Sequence, residues 1–199
     1  MQGRDDRFQS EWQSLAYHLH KTVVLVGMMG CGKTAIGTEL SRQLNVPFLD
    51  SDAEIEVAAN ATIAEIFARD GEDFFRQKES QILARLLLGA PCVLSTGGGA
   101  FLREDNRASI RRDGVSVWLD APLDLLWQRV RHKTTRPLLM TGSPRQTLGE
   151  IFAARTPLYA QAELRVPTRP DYSISDMTDA VLDALLARPD VVTGLETNA

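Results

Sequence analysis

The sequence predicts an α/β fold, a parallel sheet covered by helices on both faces, and two observations carry that reading. Four short runs, "TVVLVG" (22–27), "VPFLD" (46–50), "CVLST" (92–96) and "VSVWLD" (115–120), are rich in Val, Leu and aromatic residues. They do not alternate with polar residues, which marks strands buried on both faces. Between them, apolar residues recur at helical spacing, and strands that alternate with helices pair in parallel through crossover connections. A fifth, weaker run is "ELRVPT" at 163–168.

Residues 1–20 mix charges of both signs, lack the apolar core of a signal peptide, and read as a polar N-terminal extension. After the first strand, "KTAIGTELSRQL" sets Ile36, Leu40 and Leu44 on one face. In "TIAEIFARDG", Thr62 and Glu65 have capping-box spacing and Gly71 stops the helix. "EDFFRQKESQILARLLL" is a longer helix, apolar on one side, and "SDMTDAVLDALLARP" closes a domain of residues 21–189 with Pro189 as its stop. Residues 190–199 read as a tail. One segment breaks the pattern: "RHKTTRPLLMTGSPRQ" (131–146) is polar, basic and punctuated by glycine and proline, as a functional lid would be.

The totals exclude several classes. A chain of 199 residues, 44% hydrophobic and 24% charged, is one ordinary globular domain that needs no staple. A net charge of −4 gives no positive field for nucleic acid or an anionic membrane. Two cysteines, Cys31 and Cys92, make no disulfide framework, and no apolar run has the length of a membrane helix. His18, His20 and His132 lack the spacing of a zinc site. The reading is a cytoplasmic protein, expected to be monomeric.

The chemistry begins where the first strand ends. Gly27-x-x-x-x-Gly32-Lys33-Thr34 is a phosphate loop in spelling and in context, with a strand before it and an amphipathic helix after it. Its glycines let backbone N–H groups approach phosphate oxygens, and the helix presents its positive end to them. Lys33 would reach the β- and γ-phosphates and the Thr34 hydroxyl would ligate Mg²⁺. The ligand is therefore a nucleoside triphosphate. No Asn-Lys-x-Asp segment reads a guanine base, which leaves a small kinase or a phosphate-binding regulator.

Strand two ends in "FLDSD", so Asp50 and Asp52 lie at the carboxyl edge where open α/β sheets bind ligands. One carboxylate would serve the metal and the other an acceptor hydroxyl. The competing reading makes Asp52 the cap of a helix starting at Ala53. "STGGGAF" carries Gly97 to Gly99 after the third strand, again suggesting backbone close to a ligand. Arg76, Arg136 and Arg155 would each pass singly for surface charges.

Together these stretches resemble the shikimate kinases. The resemblance runs from about Val23 to Leu186 and rests on "GMMGCGKT", "FLDSD", "DGEDFFRQKE", "LSTGGGA", "TTRPLL" and "RTPLY", in that order and spacing. It implies the nucleoside-monophosphate-kinase type of P-loop fold: three layers, a five-stranded parallel sheet between helices, and a mobile lid. It also implies transfer of the γ-phosphate of ATP to the 3-hydroxyl of shikimate, a step of chorismate and aromatic amino-acid biosynthesis. The phosphates would lie on Gly30, Cys31, Gly32, Lys33, Thr34 and Ala35, with Thr34 and Asp50 supporting one Mg²⁺. Asp52 would contact the ring hydroxyls as candidate base. Arg76 and Arg155 would bind the shikimate carboxylate with backbone help from Gly98 and Gly99. Arg136, in the lid, would bridge the transferring group and the substrate, and Arg129 and Arg169 would border adenine. Two rivals remain: a gluconate kinase, which shares the loop and lid, and a nucleotide sensor without turnover.

Overall fold

The computed structural model describes residues 15–132 and 137–196. The described residues form the strands β1 (Leu15–Leu19), β2 (Thr22–Val26), β3 (Phe48–Asp50), β4 (Val93–Ser95), β5 (Gly114–Asp120), β6 (Leu164–Pro167) and β7 (Val192–Glu196). Among the described residues they are accompanied by the α-helices α1 (Lys33–Gln43), α2 (Ser51–Ala59), α3 (Ile63–Leu87), α4 (Glu104–Asp113), α5 (Leu123–Val130), α6 (Pro144–Tyr159) and α7 (Ile174–Leu186).

β2 to β6 form one parallel sheet in the order β3-β4-β2-β5-β6. All five are the strands that the apolar runs predict. β2 is buried along its whole length, with Val23 to Val26 fully shielded, because β4 and β5 flank it and helices cover both faces. The chain leaves β2 to one side for β3 and β4 and returns to the other for β5 and β6. That change of direction opens a crevice beside the carboxyl end of β2. Parallel pairing puts the carboxyl ends of β2, β3 and β4 at one edge, so the loops after all three meet there.

The helix signals hold in detail. Thr62 and Glu65 form the reciprocal capping box, and Gly71 (φ 83°, ψ 174°) interrupts α3 where the sequence reading stops the helix. α4 and α5 carry no assignment in the sequence reading, and α2 enters it only as the competing helix from Ala53, two residues after its observed start. Of the segment 131–146, residues 133–136, Arg136 among them, lie outside the described residues, and regular helix resumes at Pro144.

The segments read as polar extensions contain a second sheet. β1 and β7 pair antiparallel from Leu15 opposite Glu196 to Leu19 opposite Val192. Leu19, Val191 and Val192 join the main core, and Lys21 Nζ donates to Asp190 Oδ2 at 2.8 Å beside the pair. No helix among the described residues is long and apolar enough to cross a membrane.

Candidate active site

The phosphate loop connects β2 to α1. Gly27, Gly30 and Gly32 all have positive φ (138°, 85° and 105°), so the tight loop needs glycine at each. Gly32 caps α1 without a side chain, which leaves the first-turn N–H groups for a ligand. Lys33 folds back into the loop, its Nζ donating to the carbonyls of Gly27 (3.0 Å) and Met28 (3.2 Å). Phosphate oxygens would replace these neutral acceptors with charged ones, the stronger kind of bond for an ammonium. Cys31 is fully buried beneath the loop, its N–H bound to the Met28 carbonyl at 3.2 Å, as a small filler would be. Arg129, on α5, donates to the carbonyls of Gly30 (3.3 Å) and Cys31 (3.5 Å), so it clamps the loop from outside.

A cleft of about 580 Å³ opens above this loop. Gly30, Gly32, Lys33, Thr34 and Ala35 form one wall, and Asp50, Asp52 and Gly98 another. The two aspartates do not share a face as residues two apart on a strand would, because the chain turns into α2 at Ser51. Asp50, not Asp52, is the cap: its Oδ1 accepts from the Asp52 N–H at 3.0 Å. The Asp52 carboxylate is thereby free to face the cleft. Burial and the neighbouring Asp50 push its pKa up, while Lys33 and Arg76 pull it back.

The turn after β4 gathers the rest, one polar group per glycine. A Cβ on Gly97 would lie 2.6 Å from Asp52 Oδ1. One on Gly98 would lie 3.3 Å from Arg155 Nη1, and one on Gly99 would overlap the Arg76 guanidinium, 2.8 Å from its Cζ. Three charged side chains from α2, α6 and α3 thus converge on the turn, their head groups filling the space that side chains on the glycines would take. Arg155 donates to the Gly98 carbonyl at 3.2 Å. Two cations beside one acid, next to bare backbone, suit a small molecule carrying both a carboxylate and hydroxyls.

Sequence reasoning gave Glu79 no role. It is buried to 1% exposure on α3, one turn after Arg76, and accepts from Arg76 Nη1 at 2.9 Å. Glu72, a turn earlier, accepts from Arg76 Nε and Nη2 at 3.2 and 3.1 Å. The signal was the spacing Arg76-x-x-Glu79 within "RQKE", which puts both on one helix face.

Tyr172, Ile174 and Met177 line the same cleft as Arg129 and give it an apolar surface suited to a base. Arg169 does not line the cleft: it is exposed, its guanidinium 5.4 Å from the Tyr172 ring. No cluster of three or more His, Cys, Asp or Glu among the described residues could hold a metal ion by itself. The Thr34 hydroxyl and Asp50 carboxylate on the cleft are hard oxygen donors, the set that fits Mg²⁺ arriving with a nucleotide.

A phosphate loop on the central strand of a β3-β4-β2-β5-β6 parallel sheet, facing an acid and two arginines, defines a P-loop kinase of small molecules. The model of one such family, described as "Shikimate kinase", matches residues 29–186. A shikimate kinase of Cereibacter sphaeroides is 66% identical over 174 residues, 87% of each chain. One of Ruegeria pomeroyi is 63% identical over 174 residues, 87% of this chain and 89% of the relative. The solved structure of shikimate kinase from Acinetobacter baumannii in complex with shikimate superposes with a TM-score of 0.78 at 38% identity, covering 84% of this chain and 93% of that one. The chain belongs to the shikimate kinase family, an ATP-dependent group of enzymes.

Proposed function

We propose that the enzyme transfers the γ-phosphoryl group of ATP to the 3-hydroxyl of shikimate, releasing ADP and shikimate 3-phosphate. The observation that carries the reading is the triglycine turn, which brings Asp52, Arg155 and Arg76 within reach of one carboxylated polyol beside the phosphate loop. Arg76, held by Glu79, and Arg155 grip the carboxylate, and the free N–H groups of Gly98 and Gly99 border the ring. Asp52 accepts the hydrogen bond of the attacking hydroxyl and orients it in line. Its raised pKa makes it a better proton acceptor than an ordinary aspartate. Lys33 leaves the loop carbonyls for the phosphates, and the open N–H groups of α1 and the loop cradle them.

Thr34 and Asp50 would hold Mg²⁺, which when bound neutralises charge on the β- and γ-phosphates. Adenine lies between the Arg129 side of the cleft and the Tyr172–Ile174 wall, with Arg169 behind Tyr172. Arg136 belongs to the lid by its place in "TTRPLL", where it would cover the transferring group and exclude water. The enzyme acts as a monomer in the cytoplasm.

ADP release from Mg-ATP, compared without acceptor, with shikimate and with gluconate, tests the reading. Turnover is expected with shikimate only. Turnover with gluconate would move the assignment to the rival kinase, and ATP binding without turnover would make the protein a sensor.

A further inference from the structure

The geometry points to Tyr159 as a positioning residue for the acceptor site: its hydroxyl, by holding the Gly98 carbonyl, sets the direction of the Gly99 N–H and the seat of Arg155. This rests on the proposed function and names a residue that the reaction scheme leaves idle.

Tyr159 is 1% exposed, its ring stacked near Phe101 and Trp118 with centroids 6.4 Å away in each case. Packing alone would be served by phenylalanine, and a buried hydroxyl without a partner destabilises the fold. This one donates to the Gly98 carbonyl at 2.6 Å, a short bond. Arg155 lies one turn earlier on the same face of α6 and donates to the same oxygen at 3.2 Å. Two donors from one helix therefore fix one carbonyl. In a trans peptide the carbonyl and the following N–H point in opposite directions. Anchoring the Gly98 oxygen toward α6 thus aims the Gly99 N–H away from it, and no described group accepts from that N–H. From the other side, the buried Ser51 hydroxyl accepts from the Gly97 N–H at 3.3 Å. The glycine turn is held at both ends, which an unsupported three-glycine stretch could not achieve alone. Burial pushes the Tyr159 phenol up to about 12, so it remains a donor at any assay pH.

The experiment measures KM for shikimate and for ATP, together with melting temperature, in wild type, Tyr159→Phe, Arg155→Ala and the double variant. Tyr159→Phe keeps the ring and removes one hydrogen bond. It should raise the shikimate KM about threefold to tenfold. The ATP KM should stay within about twofold, and the melting temperature should change little. The double variant should show a smaller shikimate KM than the two single increases multiplied, because both donors act on one carbonyl. An unchanged shikimate KM, an equal rise in both KM values, or increases that multiply would overturn the positioning role. Absence of wild-type turnover with shikimate is read in the same series and overturns the proposed function itself, whatever the variants do.

Discussion

Asp52 meets two opposed demands, and its substitution separates them. Its carboxylate must be ionised to accept a hydroxyl proton, yet burial and the nearby Asp50 disfavour that charge. A group whose pKa is raised by folding stabilises the protein most below its unfolded pKa, and that stability is lost as pH rises through the folded pKa. At neutral pH the ionised side chain is therefore a burden on the fold. Asp52→Asn should melt at the same or a higher temperature at pH 7 while kcat falls at least about a hundredfold. ATP affinity by calorimetry should stay within a few-fold. A large loss of nucleotide binding would instead put Asp52 in the metal site. In wild type, kcat/KM for shikimate should fall on the acid side with an apparent pKa above the ordinary aspartate value of about 3.9.

The kink in α3 decides where Arg76 stands. Ile66 before the kink and Phe75 and Ile82 after it pack with Ile55 of α2 in a small cluster separate from the main core. A straight helix would not turn both of its halves onto α2. Gly71 makes the turn possible with φ 83° and ψ 174°, a region that only glycine adopts readily. A Cβ there would meet nothing within 4 Å, so the whole effect of Gly71→Ala comes from backbone strain. We expect a loss of about 1–3 kcal/mol, seen as a lower urea midpoint with an unchanged slope. An unchanged midpoint would mean that the two halves of α3 can meet α2 without this conformation. The shikimate KM should rise with the loss, because Arg76 follows the kink by little more than one turn.

In the molecule as a whole, the first and last described strands are fastened together. Asp190 accepts from Arg188 Nε and from Lys21 Nζ, each at 2.8 Å, and its carboxyl is held far below the usual range by these bonds. A depressed carboxylate pKa stabilises above the unfolded value and that stability is lost as pH falls. Asp190→Asn should lower the melting temperature slightly at pH 7, with the gap to wild type closing below about pH 3.9. A gap independent of pH would deny the charge its role. The β1–β7 pairing behind this clasp was not legible in the sequence: two short strands sit in polar surroundings at opposite ends of the chain, and nothing local pairs them. α4 escaped for a similar reason, since "EDNRASIRRD" carries Ile110 as its only large apolar residue and so has no periodic stripe. The sheet strands were legible because burial on both faces leaves contiguous apolar runs, and the phosphate loop because its glycines, Lys33 and Thr34 are adjacent. Asp52, Arg76 and Arg155 were named one by one from their motifs, but only the β3-β4-β2 strand order and the triglycine turn bring them to one place. Steady-state kinetics of Arg76→Ala probes that convergence on a carboxylate. The shikimate KM should rise at least about tenfold, for the loss of one charge-assisted hydrogen-bonding partner, with the ATP KM nearly unchanged. Equal rises in both, or neither, would contradict it.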